Sequence, residues 1–141
     1  MANITADRVL EISTTAGAGP YLLDGAVTGF RTVASVATSA DTFSYFAEDV
    51  GANGAPAGDW EVGVGTLDTD GSIVRMSIQA SSNGNAAVVW GRGTRRFGIG
   101  LSATHYAQLI TRSEINAYIT PIVEEAIGEV IDLLGVYQLS T

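Results

Sequence analysis

Apolar residues recur at every second position as far as Leu101 and at every third or fourth position after it, so the chain changes from strand to helix periodicity at that point. Leu10/Ile12/Thr14, Phe30/Thr32/Ala34/Val36 and Phe43/Tyr45/Ala47 each predict a strand with one buried face. Trp60/Val62/Val64 and Val74/Met76/Ile78/Ala80 predict two more. They are joined across Asp68-Thr69-Asp70-Gly71, whose residue types suit a hairpin with positive φ at the glycine. A last pair, Ala86 to Trp90 and Arg95 to Leu101, flanks Gly91-Arg92-Gly93-Thr94. The longest turn signal is Gly51-Ala52-Asn53-Gly54-Ala55-Pro56-Ala57-Gly58, and no internal repeat is present. This spacing predicts a mainly β domain over residues 1–103, an antiparallel β-sandwich or small barrel of about seven or eight strands.

Residues 104–141 read as a helical segment. Ile115, Ile119, Ile122, Val123, Ala126, Ile127, Val130, Ile131 and Leu134 form a broad apolar stripe at helical spacing. Thr111 and Glu114 have capping-box spacing. Pro121 lacks an amide hydrogen and collides with the Ala117 carbonyl in a straight helix, which predicts a kink or a restart there. Thr120 before it, Glu124 and Glu125 after it, and Gly135 as a stop favour a restarted helix of about 14 residues, ~21 Å long. An isolated helix of that length is marginal in water, so its stripe needs a partner: an open face of its own β domain or the same stripe on other subunits. Glu129 and Thr120 interrupt a long a/d register, which disfavours a strict coiled coil.

Composition adds exclusions. At 141 residues, with 46% hydrophobic residues, 17 glycines and 3 prolines, the chain is long enough to bury a core and rich in turn positions. A net charge of −8 disfavours a broad nucleic-acid footprint or attraction to anionic lipid, and no apolar run is long enough to span a membrane. The N-terminus lacks the pattern of a secretory signal. Without cysteine there is neither a disulfide framework nor a thiolate metal site.

Candidate chemistry is sparse. Asp68, Asp70 and Gly71 open like a calcium loop, but Ser72-Ile73 break that pattern, and a plain hairpin is the expectation. Gly63-Val64-Gly65 lacks the third glycine and the βαβ setting of a dinucleotide site; close backbone packing accounts for it better. His105 has no catalytic or metal-binding companions in the sequence. Arg92, Arg95 and Arg96 form the basic cluster, and all seven basic residues are arginine; guanidinium forks offered to carboxylates of a neighbouring subunit fit the acidic chain better than nucleic acid. Trp60, Trp90, Tyr45 and Phe97 are expected in the core, with a sugar-stacking platform as the alternative. No enzyme activity, cofactor or metal is expected.

Asp7-Arg8-Val9-Leu10-Glu11, Gly25-Ala26-Val27-Thr28-Gly29-Phe30-Arg31-Thr32, Asp59-Trp60-Glu61-Val62-Gly63-Val64-Gly65-Thr66 and Ala80-Ser81-Ser82-Asn83-Gly84, in this order, resemble a small N-terminal β module of tailed-bacteriophage tail-fibre, baseplate and neck-associated virion proteins, over about residues 5 to 101. The resemblance implies a noncatalytic virion structural protein, a tail-fibre or fibre-adaptor subunit assembled in the host cytoplasm and docked on other tail proteins. It also implies a homotrimer, with contacts expected at Arg92, Arg95, Arg96, Ile115, Ile119, Ile122, Ile127, Val130, Ile131 and Leu134. No nucleic acid and no membrane insertion are expected. The alternative is a small module that binds a host-surface glycan or receptor. The chain departs from long fibres in having no repetitive shaft after the module.

Overall fold

The computed structural model of the chain describes the backbone of residues 2–109 and 115–139, with side chains over 2–107 and 116–130. The chain divides into two compact units, Met1–Ser102 and Ala103–Thr141. The first is mainly β: β1 (Asn3–Ile4), β2 (Leu10–Ser13), β3 (Leu23–Ala26), β4 (Thr42–Val50), β5 (Pro56–Leu67), β6 (Ile73–Ser81) and β7 (Arg95–Ile99). They make a single seven-stranded sheet in the order β3-β2-β7-β4-β5-β6. All these pairs are antiparallel; only β1 is parallel, lying beside Thr42 and Phe43 at the start of β4, while β7 takes Tyr45 to Asp49.

The expected strand number and the C-terminal helical segment are present, and the layering is now defined: one curled sheet rather than a sandwich of two, and not closed into a barrel. Its two edges are tied at one point. Tyr21, just before β3, exchanges both backbone hydrogen bonds with Ile73 at the start of β6, each 2.9 Å. Buried Val9, Tyr21, Val33, Phe43, Tyr45, Leu67, Ile73, Val88, Trp90, Phe97 and Ile99 fill the concave side.

Two predicted strands are absent. The segment after Phe30 forms a single 3-10 turn, Val33–Ser35, because Thr32 caps it and the Glu11 carboxylate accepts the Val33 N–H at 2.6 Å. Residues 86–90 form no strand beyond the bridge from Trp90 to Gly17, since the Val88 N–H and C=O are both taken by side chains. The Asp68 to Ser72 hairpin forms as expected, with Gly71 at φ +85°.

Three strands bury the opposite face from the one their apolar spacing predicts. On β5 the buried residues are Glu61, Gly63, Gly65 and Leu67, while Trp60, Val62 and Val64 lie on the other side. On β2 they are Glu11 and Ser13, and on β6 Ile73 and Ser81. The cause on β5 is steric. A Cβ on Gly63 would come within 2.9 Å of the Tyr45 hydroxyl, and one on Gly65 within 2.9 Å of Ile73, so two glycines open the space that large side chains of β4 and β6 fill.

The second unit holds α1 (Ala103–Leu109) and α2 (Ile115–Leu139). The restart expected at Pro121 and the stop expected at Gly135 do not occur: α2 runs through both. The interior proline costs about 3 kcal/mol and the glycine about 1 kcal/mol, and the helix formers Glu124, Glu125, Ala126, Glu129, Leu133 and Leu134 that follow Pro121 offset part of that cost. Thr111 and Glu114, the capping pair, lie outside the described residues. Among the described residues, no helix is long and apolar enough to cross a membrane.

Candidate functional site

The chemically densest place in the β unit is a buried carboxylate on β5. Glu61 stands opposite Ala47 of β4 and Ser81 of β6 and is fully buried. Its Oε1 accepts the hydroxyls of Tyr45 at 2.6 Å and Tyr21 at 2.8 Å. Its Oε2 accepts the Val88 N–H at 2.8 Å and pairs with Arg75 Nη1 at 3.3 Å. Arg75 also donates to the carbonyls of Val88 and Gly17 and lies over the Tyr21 ring, 4.4 Å from its centre. Trp90 Nε1 donates to the Tyr21 hydroxyl at 3.0 Å. Phe97 stacks on Tyr45 with ring centres 5.1 Å apart.

This constellation is a lock. Both carboxylate oxygens have two partners each, which uses their lone pairs. Burial, and then the nearby Glu61 charge, push the Tyr21 hydroxyl far above its ordinary value; for Tyr45, also raised, burial is again first, followed by its bond to Glu61. Both therefore stay neutral donors. Through these bonds the buried carboxylate ties β4, β5, β6 and the segments of Tyr21 and Val88 to one another. Reading along the sequence misses it because Glu61 sits between apolar Trp60 and Val62. The available signal was the glycine pair at Gly63 and Gly65, which marks the inward phase of that strand.

The arginine cluster is split by the fold. Arg95 is 1% exposed: it reaches inward, donates to the carbonyls of Thr15 and Gly91, lies 4.8 Å from the Trp90 ring centre and pairs with Asp49 at 3.1 Å. It is therefore no subunit contact. Strand alternation explains it, since Arg95, Phe97 and Ile99 share the inner face of β7. Arg92 is exposed in the preceding turn, and Arg96 is half-buried on the outer face opposite Glu48.

The aromatic quartet divides too. Tyr45, Trp90 and Phe97 are core, but Trp60 is 45% exposed on the outer face, correcting its expected core position. A separate groove, which Trp60 does not line, is formed by Asp59, Ser82, Asn83, Val88 and Val89, with Ser82 donating to Asp59 at 2.8 Å. At the hairpin, Asp68 and Asp70 accept hydrogen bonds from Thr69 and Ser72, and no group of metal-ligating side chains occurs among the described residues. His105 lies in α1, half-buried.

On α2 every residue from Asn116 to Val130 is exposed, including Ile119, Ile122, Ile127 and Val130 of the predicted contact stripe. Ile115, Ile131 and Leu134 lie on the same helix, outside the described side chains. Val123, Ala126, Ile127 and Val130 line an apolar groove on its surface.

Comparisons with protein-family models, with curated proteins and with solved structures gave no match.

Proposed function

We propose that this chain is a noncatalytic structural subunit of a phage virion, a tail-fibre or fibre-adaptor protein whose β unit docks on the tail, baseplate or neck and whose helical unit joins it to further copies, as a homotrimer. The observation that carries the reading is the contrast between the two units. The β unit encloses the Glu61 carboxylate, each of whose oxygens has two partners, while α2 leaves Ile119, Ile122, Val123, Ile127 and Val130 in water. A contiguous apolar face of that kind marks an association surface. The β module resemblance supplies the setting. An attachment protein needs a preformed rigid surface and several copies, since linked weak contacts become intramolecular once the first has formed. The test is an epitope-tagged chain expressed during infection. The tag is expected in density-purified particles in multiples of three copies, and its absence from washed particles overturns the reading.

A second reading is favoured by the exposure of Trp60. An indole that is half in solvent offers a face on which a sugar ring can stack. In that reading the β unit binds a host-surface glycan. A glycan array probed with wild-type protein and with Trp60→Ala decides it: binding lost in the variant supports this second reading, and an empty array removes it.

A further inference from the structure

Because α2 is one uninterrupted helix of 25 residues, a register that a break at Pro121 would have concealed becomes meaningful. Asn116, Ile119, Val123, Ala126 and Val130 follow one another by alternating steps of three and four, and the spacing continues in the sequence through Leu133 and Tyr137. That is the heptad spacing of a helix seam. In this frame Thr120 and Glu129, the two residues that broke the other register, fall beside the seam. Pro121, Gly128 and Gly135 recur at intervals of seven on the opposite side of the helix. At ~100° per residue, Pro121, Gly128 and Glu125 point away from the seam, and Glu124 and Glu129 lie at least about 100° from its centre. Helix-weakening residues and charges are thus kept off one continuous apolar line.

A second observation comes from the surface itself. The groove lined by Val123, Ala126, Ile127 and Val130 is a diamond of residues i, i+3, i+4 and i+7. Four residues in that arrangement form the hole that receives a side chain from a facing helix. We infer that α2 is the strand of a parallel, in-register bundle, and that the occupant of this groove is the same helix of another copy of the chain.

Three features of the helix choose that occupant. The seam is self-complementary, with small Ala126 spaced between the β-branched Val123 and Val130. Asn116 stands at a seam position near the N-terminal end, where its amide meets its own copies only if the helices run parallel and in register. The area decides against a single neighbour: a strip about 37 Å long and about 10 Å wide gives ~400 Å² against one helix. A stable interface needs about 800 Å² per partner, which two neighbouring helices supply. Basic partners are disfavoured because the described residues that line the groove are all apolar. The inference deepens the self-association part of the proposed function and assigns its residues.

The absence of cysteine makes a direct test available in the full-length chain. Val130→Cys places one thiol in the seam and Gly128→Cys places one on the far face. On mild oxidation, Val130→Cys is expected to form a covalent dimer several-fold faster than Gly128→Cys, and light scattering of the reduced wild-type protein is expected to give a multiple of 14.6 kDa. Faster cross-linking at Gly128, equal rates at both sites, or a monomeric mass at micromolar concentration overturns the seam. So does efficient cross-linking of Asn116→Cys to Val130→Cys in mixed protein, the signature of antiparallel helices. Val123→Asp with Val130→Asp should reduce the mass to that of the monomer, and Tyr118→Asp should leave it unchanged; the reverse outcome also overturns the seam. A monomeric chain still found in particles would sink the seam alone, and an assembled chain absent from particles would sink the virion reading alone.

Discussion

The Tyr45 hydroxyl occupies the space that any side chain at Gly63 would need: a Cβ built there lies 2.9 Å from Tyr45 Oη, whose proton is held by Glu61 at 2.6 Å. The same Cβ would press even closer on the Ser77 carbonyl of the paired strand. Backbone cannot step aside as a flexible side chain can. Gly63→Ala is therefore expected to destabilise the β unit by about 1–3 kcal/mol, the usual scale of overpacking. Urea unfolding checks it, with Gly71→Ala as a comparison in which the cost comes from φ +85° and not from a clash.

Removing one member of the buried ion pair leaves the other charge stranded. Glu61→Ala is expected to cost about 3–5 kcal/mol, because Arg75 then stays buried without its anion and two tyrosine hydroxyls lose their acceptor. Combining it with Arg75→Met should cost less than the sum of the single changes. Denaturation of all four proteins in a double-mutant cycle measures that coupling, and additivity would show that the two side chains act independently.

The two tryptophans should separate sharply. Trp90 is 2% exposed and hydrogen-bonded through its indole to Tyr21, so Trp90→Ala is expected to cost about 3–5 kcal/mol. Trp60 is half in solvent, and Trp60→Ala is expected to cost ~1 kcal/mol. Fluorescence agrees with this assignment if acrylamide quenches the Trp90→Ala variant, in which only Trp60 remains, more strongly than the Trp60→Ala variant.

Burial pushes the Glu11 carboxyl above its ordinary value, and the Val33 N–H bond opposes that shift without cancelling it. The folded state then holds the proton more tightly than the unfolded state. Stability from this residue is accordingly greatest below the unfolded value and declines as pH rises through the raised folded value. Glu11→Gln keeps an oxygen for Val33 and removes the charge. It is expected to match or exceed the parent in urea midpoint at pH 7, with the advantage gone at about pH 4, near the ordinary glutamate value.

Strand existence was legible where alternation was strong and both ends had turn residues, as in Phe43/Tyr45/Ala47, Arg95 to Leu101 and the hairpin at Gly71. The facing of strands was not. On β5 the larger apolar residues, Trp60, Val62 and Val64, line one side and a glutamate with two glycines lines the other. Apolar spacing selects the first side, yet the core is built from rings that arrive from β4, β7 and the Tyr21 segment and need vacant space opposite them. The partner of Glu61 is Arg75, on the next strand, and the tyrosines come from residues 21 and 45. No local window contains that set. On α2 the apolar stripe was legible, and its register was hidden by treating Pro121 as an end when it occupies the outer side of a continuing helix.

The Tyr21–Ile73 bridge joins residues far apart in the chain, and it does not stand alone: Trp90 reaches back to Tyr21 and Arg95 to Thr15, separations of 69 and 80 residues. The amino-terminal third thus receives its anchoring partners from Ile73, Trp90 and Arg95, late in the β unit. During synthesis, β2 lacks its inner neighbour until β7, Arg95–Ile99, has left the ribosome. Loop closure over such distances must precede the contacts that reward it, which sets an all-or-none folding step on the millisecond-to-second scale typical of nonlocal β topologies. By then α1 and α2 follow within a few seconds of elongation, so the β unit matures while the helical unit is emerging.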